Sequence, residues 1–154
     1  MIDAISLKIL KILQKKARIP NVEVARQVGM APSAVLERIR KLEKQGFIDG
    51  YEVRLNPKRF AKSLVAFVRV KIQKPGDEKK MGARLARIAE VQEVHYVAGE
   101  DAFLVKVRAA DTEDLDGLIR DKIAAIASVR STQTAIVLST YKETARIPIE
   151  IVSA

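Results

Sequence analysis

Residues 20–46 read PNVEVARQVGMAPSAVLERIRKLEKQG. Asn21 has the side-chain oxygen that an N-cap needs, because it can accept an orphan N–H of the first turn. Val22, Ala25 and Val28 follow as an apolar stripe at helical spacing. Gly29 takes the left-handed backbone that ends a helix, and Pro32 suits the first position of the next one. In that second helix Val35, Leu36, Ile39 and Leu42 are read as facing inward. Ser33, Ala34, Glu37, Arg40, Lys41 and Lys44 lie on the opposite side, and Gly46 closes the helix. Two helices joined by a short Gly-containing turn, the second basic outside, describe a helix-turn-helix. An ordinary helical pair with a solvated charged face has the same pattern, so the flanking segments have to decide.

Upstream, Asp3 can cap a first helix carrying Leu7, Leu10, Leu13 and Ala17 at helical spacing and ending near Arg18. Lys8, Lys11, Lys15 and Lys16 face out. A three-helix core is expected from Leu10, Leu13, Val24, Ala25, Val28, Leu36, Ile39 and Leu42. Downstream, Phe47, Ile48, Tyr51, Val53 and Leu55 suit a strand that Asn56-Pro57 ends, the place for the β extension of a winged helix-turn-helix. Residues 57–63 (PKRFAKS) are short and basic and read as a hinge.

From Leu64 the periodicity changes. LVAFVRVKIQ is a strand, broken by Lys74-Pro75-Gly76. Asp77 opens a helix to about Glu90, with Met81, Leu85 and Ile88 inward. VQEVHYVAG and AFLVKVRA form a hairpin across Gly99-Glu100-Asp101. Asp111 or Thr112 caps a helix bearing Leu115, Leu118, Ile119, Ile123 and Ile126. VRSTQTAIVLSTYKE is the last long strand, and the tail RIPIEIVSA is a candidate edge strand. The order β-α-β-β-α-β is the ferredoxin-like split βαβ, with both helices on one face of an antiparallel sheet. Dimerisation is the simplest way to cover the other face. The expected fold class is α+β. A winged helix-turn-helix domain spans 1–50, a strand and hinge linker spans 51–63, and a ferredoxin-like domain for dimerisation and effector binding spans 64–154.

Composition narrows the function. The 154 residues include no cysteine and one histidine, His95. Disulfides, thiolate catalysis and Cys- or multi-His metal sites are excluded, and no metal or cofactor is expected. His95, in a strand beside Tyr96, reads as a plain sheet position. No apolar run reaches 18 residues and no signal peptide opens the chain, so the expected setting is the cytoplasm, with no membrane partner. The net charge of +9 is uneven. Residues 1–50 carry ten Lys/Arg against five Asp/Glu, 51–63 carry four against one, and 64–154 carry fourteen against thirteen. The excess therefore sits in the first module, as a polyanion-binding head requires.

On this reading Arg38, Arg40, Lys41 and Lys44 are phosphate-contact candidates, with Arg18 and Arg26 weaker ones. Ser33, Ala34 and Glu37 stand on the first two turns, where base edges come into reach. Glu37 has two roles open to it, accepting from a cytosine amino group or pairing with Lys41 at i,i+4. For Arg38 and Arg40 the choice is phosphate or an ion pair inside the fold.

The whole arrangement resembles the Lrp/AsnC (feast/famine) family of prokaryotic transcription regulators. Matching residues include Ile2-Asp3 with Lys8-Ile9-Leu10, Ala17-Arg18-Ile19 and Val24-Ala25. Others are Gly29 with Pro32-Ser33-Ala34-Val35, Arg38 through Glu43 with Gly46-Phe47-Ile48, Val97-Ala98-Gly99, and Thr134 through Leu138. The resemblance implies a regulator, not an enzyme, whose ferredoxin-like module is of the RAM type. Its homodimers, associating further into tetramers or octamers, bind pseudo-palindromic double-stranded DNA and respond to a small effector such as an amino acid. It also implies that Gly99, Glu100, Asp101 and Thr134 lie near the effector site. The chain departs from the family pattern at Ser6 and Ala102, where Asp is usual, and at Ala31, where Ser is usual. Two alternatives remain, a siroheme decarboxylase-like enzyme of the same architecture and a weakly specific nucleoid-type architectural protein.

Overall fold

Asp3 starts the first helix by accepting the Ser6 backbone N–H at 2.7 Å, which satisfies one donor that the first turn leaves orphaned. The computed structural model describes residues 2–74 and 76–150. Helix α1 covers Ala4–Lys15, α2 Asn21–Val28 and α3 Pro32–Lys44. At the turn, Gly29 sits at φ 72°, and the Met30 N–H reaches back to the Ala25 carbonyl at 3.0 Å. Gly46, at φ 73°, closes α3 the same way, with the Phe47 N–H on the Leu42 carbonyl at 2.9 Å. A side chain at either glycine would be held in the left-handed region that L-residues disfavour.

Local details depart from the expected ones. Asn21 is the first residue of α2 rather than its cap. Pro20 holds the cap position without a side-chain bond, and its carbonyl takes the Glu23 and Val24 N–H groups. Ala31 caps α3 with backbone alone.

The three helices close on Ile9, Leu13, Val24, Ala25, Val35, Ile39 and Leu42. Leu10 and Val28 are half-buried against this cluster. Two residues expected inside are outside: Val22 is 66% exposed and Leu36 36%. Leu36 follows the buried Val35 by one residue, a 100° step that turns it toward solvent, and Val22 lies in the first turn of α2, ahead of the buried Val24 and Ala25. The strand expected over 47–55 does not form. Residues 48–56 have no regular structure, and Tyr51, Val53 and Leu55 are exposed. A strand needs a neighbour for its N–H and C=O groups, and none of the described residues is a ladder partner here.

After a 3-10 turn at Pro57–Phe60 come β1 (Leu64–Ile72), α4 (Glu78–Leu85), β2 (Val91–Val97), β3 (Ala102–Ala109), α5 (Thr112–Gly117) and β4 (Val129–Ile136). The chain continues from α5 through a π-helical turn at Leu118–Ile123. The antiparallel sheet runs β2-β3-β1-β4, the split βαβ order expected from the sequence. Ala66, Val68, Val70, Phe103, Val105 and Val107 alternate toward the helices and meet Met81, Leu85, Leu115, Leu118 and Ile123. Asp111 caps α5 by accepting the Asp114 N–H at 2.8 Å. Helix α4 stops at Leu85 rather than near Glu90, and β4 stops at Ile136, leaving Leu138 and Tyr141 exposed. Of the strand-breaking Lys74-Pro75-Gly76, the proline lies outside the described residues.

The chain divides into two compact units. One holds the residues up to Arg54 together with the tail from Glu143, and the other is Leu55–Lys142. The tail is therefore no edge strand of the sheet. Its described part, to Glu150, lies with the helical unit, where the Gln14 amide brackets Ile147. Residues 151–154 of that expected strand lie outside the described residues.

Candidate nucleic-acid interface

Helix α3 turns Val35, Ile39 and Leu42 into the core, which fixes what its other side presents. Ser33, Glu37, Arg40, Lys41 and Lys44 are all exposed, and Ala34 is half-buried. The five exposed residues are spaced four, three, one and three apart, so they share one face of the helix. Leu36 joins them: four residues before Arg40, it adds an apolar group suited to a thymine methyl. The apolar pattern had assigned Leu36 inward, so sequence reasoning missed it.

Electrostatics separates the basic candidates into two groups. Arg38 is directed into the fold. Its Nη1 donates to the Asp3 carboxylate and, at 3.1 Å, to Ser6 Oγ. Of the two roles open to it, the ion pair is the one formed. Arg26 is also engaged, with Nη2 2.6 Å from Glu23 Oε1. The Arg26 guanidinium, then the Gln27 amide, hold Glu23 at about 2, below the usual carboxylate range. Arg40, Lys41, Lys44 and Arg18 make no hydrogen bond or ion pair with any described residue. Glu37 is likewise unpaired among the described residues, so the i,i+4 bridge to Lys41 is not formed. Next to α3, the Tyr51 hydroxyl donates to Glu43 at 2.9 Å. Local desolvation of the hydroxyl end of this half-exposed side chain, then that bond, push the phenol up to about 12.

In the second unit the β2–β3 hairpin carries Gly99, Glu100 and Asp101, the last at φ 47°. Glu100 is not free: its carboxylate takes Arg69 Nε at 2.6 Å. Arg69, on the sheet face away from the helices, also donates to Gln133 at 3.3 Å. The hairpin is thus joined to β1 and β4 through Arg69. Thr134 pairs with Val68 on the opposite face, so the arrangement brings Gln133 rather than Thr134 to the Glu100 side. Sequence reasoning missed Arg69 and Gln133. The alternation of β1 could place Arg69 on the open face, but its partners come from strands far away in sequence. Beside them Lys106 donates to Glu93 at 3.0 Å, and His95 lies 3.3 Å from the same carboxylate. Lys106, more than His95, lowers the Glu93 pKa.

Among the described residues no group of three or more His, Cys, Asp or Glu could hold a metal ion. No described helix is long and apolar enough to cross a membrane.

Comparison with known proteins agrees with this architecture. Residues 2–49 match the family model for a winged helix-turn-helix DNA-binding domain, and residues 65–147 match the Lrp/AsnC ligand binding domain. The chain is 36% identical over 151 residues to the leucine-responsive regulatory protein of Salmonella typhimurium, covering 97% of this chain and 92% of that one. A solved transcriptional regulator from Neisseria meningitidis, in complex with L-Met, superposes with a TM-score of 0.91 at 30% identity, covering 96% of this chain and 97% of that one. The feast or famine regulatory protein from M. tuberculosis, complexed with L-methionine, superposes with a TM-score of 0.89 at 33% identity, covering 97% and 100%. Helix-turn-helix head, split βαβ module and relatives over almost the full length place the chain in the Lrp/AsnC family of transcription regulators.

Proposed function

We propose that this regulator works in the cytoplasm, as a homodimer or higher oligomer, on pseudo-palindromic double-stranded DNA. The observation that carries the reading is the outer face of α3. Arg40, Lys41 and Lys44 are exposed there without a described partner, beside Ser33, Leu36 and Glu37. Free cations at phosphate reach supply affinity by counterion release, and the neighbouring side chains supply sequence choice at base edges. A twofold dimer sets two such helices roughly 34 Å apart, which dictates a site with two half-sites one helical turn apart. The exposed and unladdered Tyr51, Val53 and Leu55 support self-association.

The second unit takes a small effector, and an amino acid is the class that fits. L-methionine is bound in the two solved regulators described above. The Gly99–Asp101 hairpin, with Glu100 held by Arg69, is the candidate site. The relatives are named as regulators, which favours gene regulation over siroheme decarboxylation and over any other enzymatic role.

The test is selection of binding sites from random duplex DNA, with and without a panel of amino acids including L-methionine. A recovered inverted repeat, with Arg40→Ala and Lys41→Ala each flattening the salt dependence of binding, supports the reading. Recovery of no sequence preference at physiological salt would instead indicate the architectural, weakly specific alternative.

A further inference from the structure

We propose that α1 carries a second phosphate-binding surface, one that holds duplex DNA beyond the base pairs read by α3. The proposal rests on the DNA-binding reading above and adds a surface to it. Of the ten Lys/Arg in residues 1–50, Arg26 and Arg38 are consumed by ion pairs inside the fold. Three cations without a described partner, Arg40, Lys41 and Lys44, stand on α3. Four others, Lys8, Lys11, Lys15 and Lys16, stand on α1 and its C-cap, with no side-chain hydrogen bond or ion pair to a described residue. The first helix thus offers more free positive charge than the recognition helix.

These four lysines are gathered around one open cavity of about 390 Å³ between α1 and the end of α2. Its apolar floor is Ile12, Ile19 and Val28, and no carboxylate lines it. Lysine stems can lie along such a floor while the ammonium groups stay in water, where a phosphate can reach them.

Local helix stability does not account for the cluster. A basic residue in the last turn complements the negative end of the helix, which explains Lys15. Lys8 stands in the second turn, where that argument gives it no favourable role. Lys8 and Lys11 at i,i+3, and Lys11 and Lys15 at i,i+4, repel each other. The repulsion among Lys8, Lys11 and Lys15 is relieved once a polyanion neutralises them. The same folded unit presents α3, so the polyanion nearest to hand is the DNA that α3 engages.

The test uses the full chain with all four lysines changed, K8Q/K11Q/K15Q/K16Q, and a random-sequence duplex. The variant is expected to melt close to wild type, because the repulsion removed among Lys8, Lys11 and Lys15 offsets the loss of Lys15 at the helix end and of the Lys16 charge near Glu23. The slope of log affinity against log salt should fall by about 0.9 for each phosphate that is no longer neutralised, hence by about three or more in all. The preference for a selected site over random DNA should be unchanged, because phosphate contacts carry no sequence information. A slope equal to wild type overturns the proposal, and so does a loss of site preference with the slope intact. Lys41→Ala serves as the control on α3. If it lowers the slope and the quadruple variant does not, only the α1 surface fails. If neither moves the slope, the DNA reading of α3 fails with it. Sodium decanoate is the probe for the other occupant an apolar, lysine-rimmed cavity would suit. Saturable decanoate binding abolished in the quadruple variant, with the DNA slope unchanged, would make this a small-ligand site and overturn the proposal.

Discussion

Arg38 and Asp3, 35 residues apart in sequence, form an ion pair that ties the middle of α3 to the start of α1. The Arg38 side chain is 31% exposed and also donates to the buried Ser6. It is a strut of the helical unit, placed in a helix whose other basic residues have no partner among the described residues. Arg38→Ala should lower stability by about 1–2 kcal/mol, for one partly exposed pair and one hydrogen bond to a buried hydroxyl. The salt slope of DNA binding should stay at the wild-type value. Thermal melting and anisotropy titrations on the same preparation check both. A slope reduced as much as by Arg40→Ala would return Arg38 to the phosphate contacts.

Asp3 also sets an acid limit. The Ser6 backbone N–H, then Arg38, lower its pKa from 3.8 to about 2. A carboxyl whose pKa is lower in the folded state stabilises that state above its unfolded pKa and loses the contribution as pH falls to the folded value. The contribution of Asp3 is therefore nearly complete above about pH 4 and is lost as the pH falls through about 2. Its side chain is 54% exposed, so solvent screening keeps the effect at or below about 1 kcal/mol. Asp3→Asn keeps an N-cap acceptor but removes the charge. Its melting temperature should fall less between pH 4 and pH 2 than that of wild type. Equal falls would mean that Asp3 contributes nothing to acid sensitivity.

Gln14 holds the tail by both of its polar atoms. Its Oε1 accepts the Ile147 N–H at 2.7 Å and its Nε2 donates to the Ile147 carbonyl at 3.0 Å. A primary amide matches a backbone N–H and C=O in this way without any strand. Arg146 adds a bond to the Lys15 carbonyl at 3.5 Å. Gln14→Ala should release the segment, so that the Ile147 amide exchanges with solvent about tenfold faster, equivalent to about 1.4 kcal/mol of local opening. Gln14→Glu retains an acceptor for the N–H and should fall between the two. Hydrogen exchange read by NMR distinguishes them, and identical rates in all three proteins would rule out the bracket.

Ala31 leaves the start of α3 uncapped by any side chain, yet its backbone already has the extended conformation of a cap, at φ −70° and ψ 144°. A hydroxyl there would reach the free N–H of Ser33 or Ala34. Ala31→Ser should therefore stabilise the helical unit by about 1 kcal/mol and raise its melting temperature by about 4–8 °C. A melting temperature unchanged or lowered would show that these N–H groups already have partners.

Much of the molecule could be read from residues that act over a few positions. Asp3 and Asp111 start helices because a cap bond spans three residues. Gly29 and Gly46 end helices because their own φ is positive. Leu64 through Ile72 form a strand because the side chains alternate along it, and the β-α-β-β-α-β order followed from the same local signals. What the sequence left open or misplaced depends on what lies across the fold. Whether Arg38 meets Asp3 or a phosphate depends on helix packing, and so does the outward position of Leu36 and Val22. Glu100 finds Arg69 only because three strands assemble in one sheet.

Read along the chain, the residues suffice for the succession of elements, the concentration of positive charge in the first module, and the face of α3 that carries Arg40, Lys41 and Lys44. They do not suffice for which cations remain free, or for where the tail rests against Gln14, 133 residues from Ile147; packing settles both. The reason is physical. Caps, turns and hydrophobic periods are set by neighbours in the chain, whereas the partner of a long charged or amide side chain is whichever group packing brings within about 3 Å.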